Sequence, residues 1–314
     1  MIKSINIILK KCLAINEHES VLIITDSKLY SIAKLFFNQA KKITNNVKLV
    51  KIRIPKVSGT EPDKKIAKEM LKHNVELLIT TKSLSHTKAR KNACNKGARI
   101  TTMPGTNKDM IKRAIDINYN KLKKINKKLA DIFDKGKKVK IITKLGTDIS
   151  FNIKGRKAHG RKSGIYDKKG YFGNLPEGEV FIAPVEKTAN GIFIVDASFA
   201  GIGKLKKSLK VYVENGHAVN FKGEKSKKMK NLLNSVGNQA RNIAEFGIGT
   251  NEKAKITGNT LEDEKVLGTC HIALGNNFGF GGKVNIALHL DGIIKKPTIL
   301  IDNKKIMKTG NLLV

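Results

Sequence analysis

The chain has 314 residues, with 40% apolar side chains, 27 Gly and only 6 Pro. That is enough to bury a core in two ordinary domains without disulfide or metal staples, and it excludes a disordered or collagenous chain. Lys and Arg number 61 against 26 Asp and Glu, a net charge of +35, but the excess is not gathered into one tail or patch that would mark a nucleic-acid face.

Residues 1–150 carry 34 basic and 12 acidic side chains, and residues 151–314 carry 27 and 14. Trp is absent and aromatic residues make up 5%, so there is little to stack on bases, and specific nucleic-acid binding is not expected. Cys12, Cys94 and Cys270 are an odd number at wide spacing, which gives neither a disulfide framework nor a CxxC site and predicts reduced thiols. No apolar run approaches the roughly 20 residues of a membrane helix, and Lys10 and Lys11 interrupt the opening MIKSINIILKKC. A cytoplasmic protein with no membrane partner is expected.

In chain order, VLIITD (Val21 to Asp26) reads as a buried strand, followed by a helical pattern through Ile32, Leu35, Phe36 and Ala40. VKLVKIRI (Val47 to Ile54) reads as a second strand and the stretch around Ile66, Met70 and Leu71 as a helix. VELLITT (Val75 to Thr81) is a third strand, His86 to Lys96 a helix closed by Gly97, and ARITTMPG (Ala98 to Gly105) a fourth strand ended by Pro-Gly. Alternating βα units of this length imply a parallel sheet covered by helices. Neither GxGxxG nor a Walker A lysine is present, so a nucleotide site is unsupported. A long basic helix is expected from Lys108 to about Lys135. Beyond it lie short glycine-punctuated strands, interrupted by one helix with Leu232, Leu233, Val236, Ala240 and Ile243 on a face that delivers the chain to Glu245. The fold class is therefore α/β: a Rossmann-like parallel-sheet domain over residues 1–135 with its linking helix, then a β-rich α+β metal-binding domain over 136–314.

The chemistry is concentrated late in the chain. From Ala244 to Asp291 there are six acids and four lysines, a local acid excess in a strongly basic protein, together with His271 and His289. Read as a strand, VNIALHLDGII puts His289 and Asp291 on one face and Ile286, Leu288 and Leu290 on the other. That is either a pair of metal ligands or a hydrogen-bonded pair at a strand end. Glu245 follows an apolar helix face, a costly place for a lone carboxylate unless a cation or donors meet it. Glu179 lies at the start of a strand that alternates with Phe181 and Ala183. Glu177, after Pro176, reads as an exposed turn residue, and His271 lies between apparent core residues Cys270 and Ile272.

The segments NLPEGEVFIAP, DASFAGIG, IAEFGIGTN, LEDEKVLGTCHIALGNN and FGGKVNIALHLDGII, with the earlier SLSHTKAR and ARITTMPG, resemble the thermophilic metalloaminopeptidases of the aminopeptidase T type, in particular the short archaeal leucyl aminopeptidase-like members. The resemblance runs over most of the chain and is densest from Gly170 to Gly310. It implies a metal-dependent aminopeptidase with two divalent ions, Zn, Co or Mn, held by Glu179, Glu245, Glu264, His271, His289 and Asp291. Peptides with a free N-terminus would be the substrates, and a homodimer is left open. Three departures stand out. The Glu264 to His271 spacing is slightly long, which leaves Glu262 as an alternative ligand. Asn277 and Phe278 stand nearest the family's tyrosine and offer no phenol, and the chain is shorter than the bacterial enzymes. A related iron-dependent ring-cleaving dioxygenase shares this fold, so the runner-up is a single iron on His271, His289 and Asp291. A third reading is a basic nucleic-acid-associated protein with a structural metal.

Overall fold

The runs VLIIT and VELLI are apolar at nearly every position, and such strands are buried on both faces only inside a parallel sheet with helices on either side. The computed structural model describes residues 1–314 and forms this arrangement in the first of two compact units, Met1–Tyr119 with Gly164–Glu177. Strands Val21–Asp26, Val47–Ile52, Val75–Ile79 and Arg99–Thr102 run parallel, and Phe172–Asn174 pairs alongside Arg99–Thr102. Val21, Ile23, Leu77 and Ile79 bury one face against Phe36 and Ala33 of helix Tyr30–Ala40. Leu22, Ile24, Leu78 and Ile100 bury the other against Met70 of helix Lys64–Met70 and Ala89 and Ala93 of helix Lys88–Asn95. The expected helix from Lys108 to Lys135 is two helices, Lys108–Ala114 and Tyr119–Lys135. The break falls at Asp116 and Asn118, side chains that compete with the helical backbone, and Asp116 accepts from Lys3 at 2.7 Å. No helix is long and apolar enough to cross a membrane.

The second unit, Asn120–Ser163 with Gly178–Val314, consists chiefly of two antiparallel sheets. One has eight strands; the other has six, with Glu179–Ile182 at one edge, then Ile243–Gly249, Thr269–Gly275, His289–Lys295, Ser198–Phe199 and Gly203–Lys204. Their apolar faces share one core. Val180, Phe246, Ile248, Cys270, Ile272, Leu274 and Ile294 of the six-stranded sheet meet Val139, Phe151, Phe193 and Val211 of the other, with Leu129 and Phe133 of helix Tyr119–Lys135. The three cysteines are free and buried.

Two elements differ from expectation in ways that matter for the site. The helix expected to deliver Glu245 ends at Asn234; after Gly237, whose positive φ (107°) suits glycine, and a short 3-10 turn, the chain is already extended at Ile243. Glu245 is thus a strand residue, in a run whose alternation of Ala244, Phe246 and Ile248 with Glu245, Gly247 and Gly249 has period two. The strand expected from Val284 begins only at His289, because the Asn276 side chain takes the Ile286 carbonyl at 2.6 Å and pairing stops at Gly275–His289.

Phe246 anchors the Glu245 strand from behind, its ring 5.3 Å from Phe133 and 5.5 Å from Phe151. Phe246→Ala should cost about 3–5 kcal/mol, read as a lower urea midpoint with an unchanged slope; a loss under about 1 kcal/mol would show that this face does not hold the sheet.

Candidate functional site

The six-stranded sheet has one apolar face in the core and one polar face, and residues paired across antiparallel strands share a face. The pairs Gly249–Glu179, Glu245–Ala273, Ala273–Asp291, Gly247–His271 and Gly275–His289 therefore put Glu179, Glu245, His271, His289 and Asp291 on the polar side together. A bulge between Ile243 and Glu245 makes this possible. Ile243 pairs with Leu274 and enters the core, whereas Glu245, two residues on, pairs with Ala273 and faces the opposite way. The space is made by Gly247, Gly249, Ala273 and Gly275, which carry little or no side chain. A Cβ at Gly247 would lie 2.1 Å from His271 Nε2, so the imidazole rests directly on glycine backbone.

Glu245 is the hub. Its Oε1 is 3.2 Å from His271 Nε2 and its Oε2 3.5 Å from His289 Nε2, which in turn lies 3.3 Å from Asp291 Oδ1. Glu179 Oε2 is 3.6 Å from His271 Nε2. Two overlapping groups of donor atoms could hold a metal ion, Glu179–Glu245–His271 and Glu245–His289–Asp291. His271 is fully buried, while the His289 side chain is 26% exposed and marks the open side. The Asn276 carbonyl accepts from His289 Nδ1 at 2.8 Å, which leaves Nε2 turned to Glu245 and Asp291. Phe280 stands edge-on to His289 (5.8 Å, 84°) and to Phe181 (5.5 Å, 82°), and His159 stacks on Phe181 at 5.1 Å.

Glu264 joins neither donor group. Its Oε1 is 2.6 Å from the ammonium of Lys265, a fully buried side chain that also pairs with Glu179 Oε1. In the sequence Lys265 is only a lysine within the acidic stretch LEDEK, with nothing to mark it as buried. The alternative ligand Glu262 is occupied elsewhere, accepting from the Lys255 backbone at 3.0 Å. Asp263 accepts from Thr257 N (2.7 Å), Gly258 N (2.9 Å) and Ser198 Oγ (2.6 Å). Glu177, expected to be exposed, is buried, and Tyr166 donates to it at 3.3 Å. Phe278, at the position matched to the tyrosine, is 58% exposed.

The ionisation states follow from burial set against neighbours. Desolvation pushes Glu245 up against the hydrogen bond from His271, and lifts Glu264 well above the usual carboxylate range despite Lys265. For the histidines burial works downward but is outweighed. The hydrogen bond to Glu245 and the charges of Glu179 and Asp291 raise His271 to about 9; Asp291 and Glu245 raise His289 to about 10. Burial would raise Asp291, yet the charge and hydrogen bond of His289 hold it below its ordinary value. Within the site two buried atoms make no hydrogen bond, Glu179 Oε2 and His271 Nδ1.

Chelator-treated protein should therefore lose stability in alkali. A histidine whose folded pKa is raised contributes stability fully present below about 6.5 and lost as pH rises through its folded value. The melting temperature should fall from pH 7 to 10, and a His271→Gln/His289→Gln variant should flatten that limb. An equally steep fall in the variant would refute the assignment.

The whole chain, residues 1–314, matches the protein-family model described as NicX: 2,5-dihydroxypyridine 5,6-dioxygenase. Among solved structures it is similar to 2,5-dihydroxypyridine dioxygenase from Pseudomonas putida KT2440, with a TM-score of 0.85 and 16% identity over 100% of this chain and 96% of that one. It is also similar to wild-type AmpT from Thermus thermophilus, with a TM-score of 0.77 and 16% identity over 100% and 98%. No curated protein sequence matches it. The α/β class with a parallel-sheet unit and antiparallel sheets stands, and the fold of aminopeptidase T is shared. The peptidase reading does not stand. The matching family is one of dioxygenases, which overturns the expected exopeptidase activity, the hydrolase assignment and the peptide substrates with a free N-terminus. Likeness to AmpT at this identity reports scaffold alone, because a sheet that gathers carboxylates and imidazoles can serve more than one chemistry. Full-length agreement with one family places the chain by descent: it belongs to the NicX, 2,5-dihydroxypyridine 5,6-dioxygenase, family.

Proposed function

We propose that this protein is a metal-dependent dioxygenase that opens a dihydroxylated pyridine ring, with one iron ion held by His271, His289 and Asp291 and with Glu245 and Glu179 against it. The carrying observation is the convergence of two imidazoles and a carboxylate on one sheet face around Glu245. Two histidines and one carboxylate with open positions suit non-haem ferrous iron. The buried Glu179 Oε2 makes no hydrogen bond and leaves a lone pair open to a metal ion, since a buried oxygen whose hydrogen-bonding capacity is unmet costs about 1–3 kcal/mol. When bound, such an ion supplies the redox chemistry by which dioxygen reacts with an electron-rich ring.

The chain's own residues do the rest. Asn276 fixes the His289 tautomer so that Nε2 faces the site. Gly247 sets the depth of the His271 ring. Phe280 beside His289, with Phe181 edge-on to it, offers an apolar wall suited to a flat aromatic substrate and to keeping water away from it. Glu245, raised by burial, is placed to take up the proton of a ring hydroxyl at its carboxylate. Glu264 serves as the partner of Lys265.

Protein reconstituted anaerobically with ferrous iron should consume 2,5-dihydroxypyridine and dioxygen in equal amounts, followed by ring absorbance and an oxygen electrode, and should not hydrolyse aminoacyl amides. His271→Ala, His289→Ala and Asp291→Ala should each lower iron content by about tenfold or more and abolish turnover. Absence of ring cleavage by fully loaded wild-type protein would sink the proposal. Gly247→Ala should lower iron content as His271→Ala does, although it removes no donor, because its Cβ must push the imidazole aside; unchanged iron content would show that the ring can shift without consequence.

A further inference from the structure

We infer that Glu186 is a positioning residue that sets which rings reach His289: paired with Arg156, it latches the loop Asn277–Val284 so that Phe280 stands over the open side of the site. This deepens the dioxygenase reading and rests on it. The loop is closed on itself at its neck. Asn277 N and Phe278 N both donate to the Val284 carbonyl, at 3.0 and 3.1 Å, and Val284 N donates to Asn277 Oδ1 at 2.9 Å. Beyond the neck come Gly279, Gly281 and Gly282. At Gly282 a Cβ would strike the Asn277 amide, whereas at Gly279, whose φ lies outside the left-handed region, it would meet nothing within 4 Å. Glycine at 279 thus answers neither a turn nor a close approach, and it leaves the backbone there free to pivot.

Glu186 and Arg156 fasten this loop at three points. Glu186 Oε1 accepts from Asn277 Nδ2 at 3.0 Å and from Lys283 N at 2.8 Å. Its Oε2 pairs with Arg156 Nη2, and Arg156 Nη1 donates to the Gly281 carbonyl. The Arg156 and Glu186 side chains are only 12% and 17% exposed. An ion pair so far from water offsets its desolvation only if further hydrogen bonds occupy its remaining atoms, and here those bonds go to the loop.

What the latch holds in place is Phe280. Its ring stands edge-on to His289 (5.8 Å), Phe181 (5.5 Å) and His159 (6.2 Å). The two segments that supply the latch also supply this wall. Glu186 follows the strand of Phe181, and Arg156 precedes His159, whose backbone exchanges hydrogen bonds with that of Phe181 at 2.8 and 3.3 Å. Latch and wall are therefore one construction. His289 is the donor that opens outward, its side chain 26% exposed, so a ring approaching it must pass Phe280. With the latch made, Phe280 narrows that approach to a small flat ring; with the latch broken, the loop swings out and larger rings enter.

The test compares wild type with Glu186→Gln, Phe280→Ala and the double variant Glu186→Gln/Phe280→Ala. In metal-free Glu186→Gln the amides of residues 278–284 should exchange hydrogen about tenfold faster or more, the change in opening that loss of a charged hydrogen bond brings. Amides of the strands carrying Glu245 and His271 should keep their wild-type rates. Protein loaded with Zn2+ should lose it to EDTA faster in Glu186→Gln and in Phe280→Ala, and no faster in the double variant than in Phe280→Ala, because both changes act through one ring. With ferrous iron, kcat/KM for a bicyclic dihydroxyquinoline relative to 2,5-dihydroxypyridine should rise in all three variants. Wild-type loop exchange in Glu186→Gln, exchange accelerated equally throughout the sheet, or effects on Zn2+ release that add in the double variant would overturn the inference. Loop exchange and Zn2+ release are read without ring cleavage, so a failed dioxygenase assay leaves them standing, and a failed latch leaves the assay standing.

Discussion

The structure of the second unit depends on keeping charge inside it. Glu179, Glu245, His271, His289 and Asp291 share one face of a sheet whose other face is hydrophobic core, and the turn after Asp263 brings Glu264 and Lys265 against Glu179. Each buried ion carries a desolvation cost of several kcal/mol, repaid only by close and well-aligned partners. That requirement explains the local geometry: the two Glu245 oxygens divided between two imidazoles, the His289 Nδ1 fixed on a carbonyl, and a lysine held between two carboxylates. Removing any one of these charges leaves the others uncompensated, so the cluster behaves as a unit rather than as separate pairs.

Room for the cluster comes from what the neighbouring positions lack. Gly247 lies under the His271 ring, and at Gly249 a Cβ would meet the Val266 carbonyl at 2.1 Å, which lets the turn carrying Lys265 pack directly on the strand. The same strand turns Phe246 and Ile248 into the core, so its side chains alternate between large apolar groups behind and glycine or Glu245 in front. Precision at the site derives from this asymmetry. The rear face is packed too tightly for the strand to shift, and the front face is empty enough for rings and carboxylates to converge.

The peptidase expectation failed for an instructive reason. It rested on acids and histidines in a fixed order, and those residues do come together: Glu179, Glu245, His271, His289 and Asp291 share one face. Order and spacing report the scaffold, however, and the same scaffold is found in 2,5-dihydroxypyridine dioxygenase and in AmpT. On this chain the donor set is flanked by Lys265 between Glu179 and Glu264 and by the rings of Phe181 and Phe280.

The sequence by itself determined the βα rhythm of the first unit, because runs such as VLIITD and VELLI can be buried only one way. It also determined that His289 and Asp291 point together, since a strand's period of two leaves no other choice. It could not place Glu245: the helix-like spacing of Leu232, Leu233, Val236 and Ala240 ran on into a strand, and only the tertiary packing around Gly237 and the bulge at Ile243 settled which face the carboxylate takes. Nor could it distinguish Glu264 from a free carboxylate donor or Glu177 from a surface residue, because both depend on partners distant in sequence or on burial. Lys265 was hidden for the same reason. A lysine next to a glutamate is ordinary in a chain with 61 basic residues, and it becomes exceptional only when the fold removes its water and leaves two carboxylates, one of them 86 residues away, as its company.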